Sequence, residues 1–175
     1  MARELELVKS KIRNIPDFPI PGILFRDITP VLQDPEAFAE AVGALEEFAR
    51  DCQGEAIVAI EARGYILAAP IALRLGVPFI PVRKKGKLPA ETVAVEYSLE
   101  YGTATIEMHR DALKEGQRAV LLDDLLATGG TARAAAQLIE KLGAQVAGIG
   151  FLIELTELGG RRLLEGYRVE SFVKF

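Results

Sequence analysis

One cysteine, one histidine and no tryptophan occur in 175 residues, and each scarcity narrows the chemistry open to the chain. Cys52, being alone, forms no internal disulfide, so a reducing, cytoplasmic setting is expected. A small apolar side chain near a helix end is the expected role for it. His109 falls in a β-prone stretch and reads as a surface residue. Positive charge is also short, with 21 Lys and Arg against 25 Asp and Glu and a net charge of −4. That balance argues against a nucleic-acid backbone as the main partner. No apolar run approaches the roughly 18 residues of a membrane span, and the first six residues carry no signal-type apolar stretch. No membrane association is therefore expected. Repeats, low-complexity tracts and linkers are absent as well, which favours one domain over residues 1–175.

What the chain does have is apolar residues, 50% of the total, in a telling order. Leu5, Val8, Ile12 and Ile15 recur at helical spacing and predict a short amphipathic helix. Pro16, Pro19 and Pro21 then forbid regular structure until about Leu24. Asp34-Pro35 is a helix start, with Phe38, Val42, Leu45 and Phe48 as the buried face. Beyond it, short continuous apolar runs at 56–60, 79–82, 118–122, 146–153 and 169–173 alternate with helical stretches at 65–75 and 131–142, closed by Gly76 and Gly143. This alternation predicts a doubly wound α/β domain, with a mainly parallel sheet and helices on both faces. Ligands of such sheets sit at the carboxyl ends of strands. Two β-prone stretches within 91–109, around the turn at Gly102, break the alternation and predict a hairpin projecting as a lid.

The strongest local signal is Leu122-Asp123-Asp124-Leu125-Leu126-Ala127-Thr128-Gly129-Gly130-Thr131. It is read as a buried strand ending in two carboxylates, followed by a small-residue turn that opens a helix. Gly129 and Gly130 let backbone N–H groups converge, Thr128 and Thr131 add hydroxyls, and the helix dipole adds positive potential. Together these suit a terminal phosphate monoester. Asp123 and Asp124 suit ribose hydroxyls or a hard cation such as Mg²⁺. The pattern is neither a Walker loop nor a dinucleotide fingerprint. Two further features follow strands: Glu61-Ala62-Arg63-Gly64, with an arginine fork for phosphate oxygens, and the cationic run Arg83-Lys84-Lys85-Gly86-Lys87. Of that run, Arg83, Lys84 and Lys87 are the expected ligands, with Lys85 solvated.

The Asp-Asp-to-Thr-Gly-Gly-Thr motif closely resembles the hallmark of the type I phosphoribosyltransferases. By that resemblance, Asp123 and Asp124 hold the ribose of phosphoribosyl pyrophosphate. Residues Ala127, Thr128, Gly129, Gly130 and Thr131 hold its 5′-phosphate. Glu61, Ala62 and Arg63 form the pyrophosphate loop, with a cis bond expected between Glu61 and Ala62. Mg²⁺ is the implied cofactor, carried in by the substrate with no direct protein ligand. A homodimer is the implied assembly.

Residues 18–28 form a proline-stiffened segment that leads into Phe25 and Arg26. This segment looks like the base-selecting hood, within 1–33, of the adenine-specific branch of that family. The resemblance to that branch extends through Glu61–Gly64, Val82–Pro89, Leu99-Glu100-Tyr101-Gly102, the Asp-Asp loop and Leu155-Thr156-Glu157-Leu158-Gly159-Gly160. The likeness covers nearly the whole chain. It implies adenine contacts from Leu24 and Arg26 through the backbone, and a base sandwiched by Phe25 and Leu158. Members specific for 6-oxopurines place a lysine in the matching loop, and none occurs here. The implied reaction joins adenine to the phosphoribosyl group, giving AMP and pyrophosphate. Glu100, Tyr101 and Arg63 are the implied catalytic residues, Glu100 as acceptor of the N9 proton. Acceptance of another purine, or sensing of phosphoribosyl pyrophosphate without chemistry, are the alternatives.

Overall fold

The computed structural model describes residues 5–99 and 101–175. The chain opens with α1 (Glu6–Lys11), β1 (Arg13–Pro16), β2 (Leu24–Asp27) and α2 (Thr29–Gln33). The first helix is shorter than its apolar spacing suggests. Ile12 is already extended, and Ile15 lies in β1, opposite Phe25 of β2 in an antiparallel pair. Pro16 disfavours helical geometry at the residue before it, so the periodicity runs on past the helix itself. The long helix α3 (Pro35–Asp51) starts as expected, with Asp34 Oδ1 accepting from the amides of Glu36 and Ala37. Val42, Leu45 and Phe48 are buried on it, and Phe38 is half-buried.

The rest winds a seven-stranded sheet from β3 (Ala56–Ile60), α4 (Arg63–Leu75), β4 (Phe79–Lys84), β5 (Thr92–Ser98), β6 (Thr103–His109), β7 (Arg118–Leu126), α5 (Gly130–Lys141), β8 (Gln145–Glu154) and β9 (Val169–Lys174). The strand order is β5-β6-β4-β3-β7-β8-β9. Strands β4, β3, β7, β8 and β9 are parallel, and the β5–β6 hairpin closes one edge antiparallel. The runs are apolar throughout because alternate residues serve different faces. Ile57, Ala59, Val120 and Leu122 pack with α3 and α4, whereas Val58, Ile60, Ala119 and Leu121 pack with α5 and the hairpin. Gly148 and Gly150 on β8 give way to the Phe48 ring, which a Cβ at either position would strike. Cys52, 1% exposed, fills the adjoining space as a core residue.

Two further expectations change. The hairpin does not simply project, because β6 pairs with β4 at Arg83↔Glu107 and Lys84↔Ile106 and so extends the sheet. Strand β7 does not end at the acids. It runs on to Leu126, paired with β8 up to Leu126↔Glu154, so Asp123 and Asp124 lie within a strand. The ten residues of β8 supply ladder partners that no local property of two aspartates announces.

Candidate active site

The carboxyl ends of β3, β4 and β7 open into one cleft of about 340 Å³. It is lined by Glu61, Ala62 and Arg63, by Arg83 and Lys84, and by residues 123–132 together with Tyr97. Three sequence signals separated by up to 70 positions therefore converge, because parallel strands end on the same side of a sheet.

In the turn after β7, Gly129 has φ +87° and caps α5. Its conformation is one that side-chain-bearing residues rarely adopt. Space forbids a side chain as well: a Cβ on Gly129 would run into the carbonyl oxygen of Gly160, and one on Gly160 into that of Ala127. The turn is thus braced, backbone on backbone, by a second loop. That loop is held in turn by a partly buried network. Arg161 Nε lies 2.8 and 2.9 Å from the two Glu154 carboxylate oxygens, Arg161 Nη2 donates to Ser171 Oγ at 2.9 Å, and Ser171 Oγ donates to Glu154. Burial would raise the Glu154 carboxyl, but the Arg161 and Ser171 hydrogen bonds outweigh it and hold it below the usual range.

The acid pair is drier than a strand end would be. Asp124 is 5% exposed, and Asp123 is half-buried with its Oδ1 accepting from Asp124 N at 2.9 Å. Burial, and then the neighbouring charge of Asp124, push the Asp123 carboxyl well above the ordinary aspartate range. Arg63 Nε lies 2.8 Å from Asp124 Oδ2 outside hydrogen-bonding geometry, leaving that buried oxygen without a donor. Gly64 permits this contact between loops, since a Cβ there would stand 2.8 Å from Asp123 Oδ1. The Glu61–Ala62 bond is cis, as expected. Helix α4 starts at Arg63, two residues before the apolar pattern signals it.

The cationic run is less free than its charge suggests. Glu61 Oε2 accepts from Arg83 Nε and Nη2 at 3.3 and 3.2 Å, and its Oε1 accepts from Lys84 N at 2.7 Å. Burial would raise Glu61, but these donors prevail and lower it. Glu107, buried on β6, accepts from Gly86 N at 3.0 Å. Two carboxylates therefore fix the turn, Arg83 enters the cleft already paired, and Lys84, Lys85 and Lys87 are exposed. Lys87 is not among the cleft-lining residues.

The hood adjoins the cleft without lining it. Leu24 and Leu158 are exposed, Phe25 and Arg26 half-buried. Phe25 reaches the other loops through Arg63, whose guanidinium carbon lies 5.1 Å from the ring centre. Arg26 stacks over Phe175 at 4.0 Å and donates to Asn14 Oδ1 at 2.5 Å. Tyr101 is 87% exposed at the hairpin turn, and Glu100 lies outside the described residues. Tyr97 and Glu107 carried no role in the sequence reading and Gly160 only closed the Leu155–Gly160 stretch, because the partners that give them meaning lie 21 or more positions away.

The chain is similar to known proteins over its length. The model of the phosphoribosyl transferase domain matches residues 31–172. An adenine phosphoribosyltransferase of Kosmotoga olearia is 54% identical over 168 residues, 96% of this chain and 99% of that protein. The crystal structure of adenine phosphoribosyltransferase from Thermoanaerobacter pseudethanolicus superposes with a TM-score of 0.95 at 56% identity, covering 98% of this chain and 99% of that one. The Saccharomyces cerevisiae enzyme, complexed with an imino-altritol bisphosphate and adenine, gives 0.91 at 36% identity, covering 95% and 97%.

Proposed function

The chain belongs to the phosphoribosyl transferase family, and on that premise we infer that it moves the 5-phosphoribosyl group of phosphoribosyl pyrophosphate onto adenine, giving AMP and pyrophosphate. The observation that carries this reading is the single cleft in which the 127–131 turn, the Asp123–Asp124 pair and the Arg63 loop meet. Adenine as the acceptor is supported by relatives of that activity at 52% identity or more over nearly the full length.

In this reading residues 1–175 act as one unit, with a hood at 1–33 and a lid at 91–109. The N–H groups and hydroxyls of residues 127–131 hold the 5′-phosphate, at the positive end of α5. Asp123 and Asp124 hold the ribose hydroxyls and favour the positive charge that develops on the ring as pyrophosphate departs. Glu61, Ala62, Arg63, Arg83, Lys84 and Lys87 receive the pyrophosphate. Leu24, Phe25, Arg26 and Leu158 hold the base so that N9 meets the anomeric carbon from the face opposite the leaving group. Glu100 takes the N9 proton, while Tyr101 closes over the sugar and excludes water.

The acid pair fits Mg²⁺ arriving with the substrate. Both carboxylates line the cleft, with Asp124 Oδ2 held in an ion pair by Arg63 at 2.8 Å, where hard oxygen donors would meet an ion that the substrate brings. When bound, the ion neutralises pyrophosphate charge. A cytoplasmic setting rests on the lone, buried Cys52. A homodimer rests on the exposed outer face of α4, where Ile66 and Leu73 sit two turns apart.

The test is pyrophosphate release from protein, Mg²⁺ and phosphoribosyl pyrophosphate with each base in turn. Release with adenine alone is expected. Release with hypoxanthine or guanine instead reassigns the acceptor, and tight binding without release with any base favours a sensor.

A further inference from the structure

The first strand of the hairpin lies along α5. Lys141 Nζ, at the far end of the helix, donates to Ala94 O at 2.6 Å. At the near end the Tyr97 ring packs against the first turn, where a Cβ on Gly130 would stand 3.6 Å from Tyr97 Cδ2. The Tyr97 hydroxyl then lies 3.1 Å from Thr131 Oγ1, with either atom able to donate. Each hydroxyl carries one proton, and the threonine oxygen can accept while it donates. A phosphate oxygen without a proton accepts only. If Thr131 spends its proton on phosphate, the proton between the two hydroxyls must come from Tyr97.

We propose that Tyr97 is a positioning residue: its O–H donates to Thr131 Oγ1, fixes the threonine rotor and directs the Thr131 proton into the phosphate turn. The proposal rests on the reading that residues 127–131 hold the 5′-phosphate. Hydroxyls in series polarise one another, so the Thr131 donor is strengthened as well as aimed. Tyr97 does not touch the phosphate, and its effect passes through Thr131 alone.

Calorimetric titration of the full chain with ribose 5-phosphate, and separately with magnesium pyrophosphate, tests this with Tyr97→Phe, Thr131→Val and the double variant. Tyr97→Phe should weaken ribose 5-phosphate by about 3–10-fold, the scale of one neutral hydrogen bond, and leave pyrophosphate unchanged. Thr131→Val should weaken it by roughly 10–100-fold, the scale of a charge-assisted bond. The double variant should bind like Thr131→Val, because the tyrosine then has nothing to aim. Unchanged ribose 5-phosphate binding in Tyr97→Phe overturns the proposal, as do losses that multiply in the double variant. A parallel loss of pyrophosphate binding in Tyr97→Phe also overturns it, since that marks a general disturbance of the fold. Unchanged binding in Thr131→Val instead removes the phosphate reading itself, and the role of Tyr97 with it.

Discussion

A carboxylate half-buried in a strand is a different object from one at a solvated strand end, and Asp123 shows the consequence. Its raised titration means that the folded chain binds this proton more readily than the unfolded chain. The stability linked to it is therefore full below the ordinary aspartate value of 3.8 and is lost as pH rises through the folded-state titration. At neutral pH Asp123→Asn should remove that penalty, while its amide oxygen still accepts from Asp124 N. We expect the melting temperature to rise by roughly 2–4 °C, the effect of about 1 kcal/mol in a chain of this size. The gain should vanish as the pH approaches 4. The same variant should raise KM for phosphoribosyl pyrophosphate and lower kcat, and unchanged kinetics would mean that the ribose site is elsewhere. Glu100→Gln should lower kcat by roughly 10²–10⁴-fold, the usual range for lost acid–base assistance. It should leave phosphoribosyl pyrophosphate affinity nearly intact. Single-turnover measurement is the check, since slow product release hides a slowed chemical step.

At the scale of elements, the 127–131 turn depends on a loop 30 residues further along the chain. Gly160→Ala places a methyl against the Ala127 carbonyl and 2.9 Å from Leu126 Cδ1, so one segment must shift. A loss of about 1–3 kcal/mol in denaturant unfolding is expected, with weaker phosphoribosyl pyrophosphate binding. Gly43→Ala, mid-helix in α3 with open space around its Cβ, should instead gain about 0.5–1 kcal/mol. Equal effects of the two would sink the packing argument. The contrast also shows where the sequence is legible. The strands at 56–60 and 169–173, the N-cap at Asp34 and the Gly76 C-cap are written in local residue types, and the structure repeats them within a residue or two. The extension of β7 through its acids, the pairing of Arg83 with Glu61 and the seating of Gly129 on Gly160 are not. Each depends on a partner distant in sequence, which periodicity and motif spacing do not register.

For the whole molecule, the apolar outer face of α4 is the feature that bears on assembly. Leu73 is 83% and Ile66 42% exposed, and the helix that bears them begins at Arg63 in the cleft. If this face joins two copies, Leu73→Asp should shift the protein from dimer to monomer at micromolar concentration in light scattering. A monomeric unaltered protein would end the homodimer reading. The candidate site divides in the same way as the fold. The part proposed to hold sugar and phosphate sits at the ends of β3 and β7 and the start of α5, on the cleft. The part proposed to select the base sits on the two-stranded β1–β2 hood and on Leu158, exposed or half-buried and joined to the cleft by Arg63 over Phe25.

The seam between Gly129 and Gly160 has a bearing on how this protein can vary. Neither position has room for any side chain, so neither can drift alone, and no single exchange at one position compensates for a change at the other. Inherited change in this part of the molecule is blocked in both directions at once. Leu24 and Leu158, each 47% exposed, carry no such mutual veto. On the proposed assignment, new acceptor preferences arise by replacing the hood piecemeal, while the turn at the seam passes unaltered from one variant to the next.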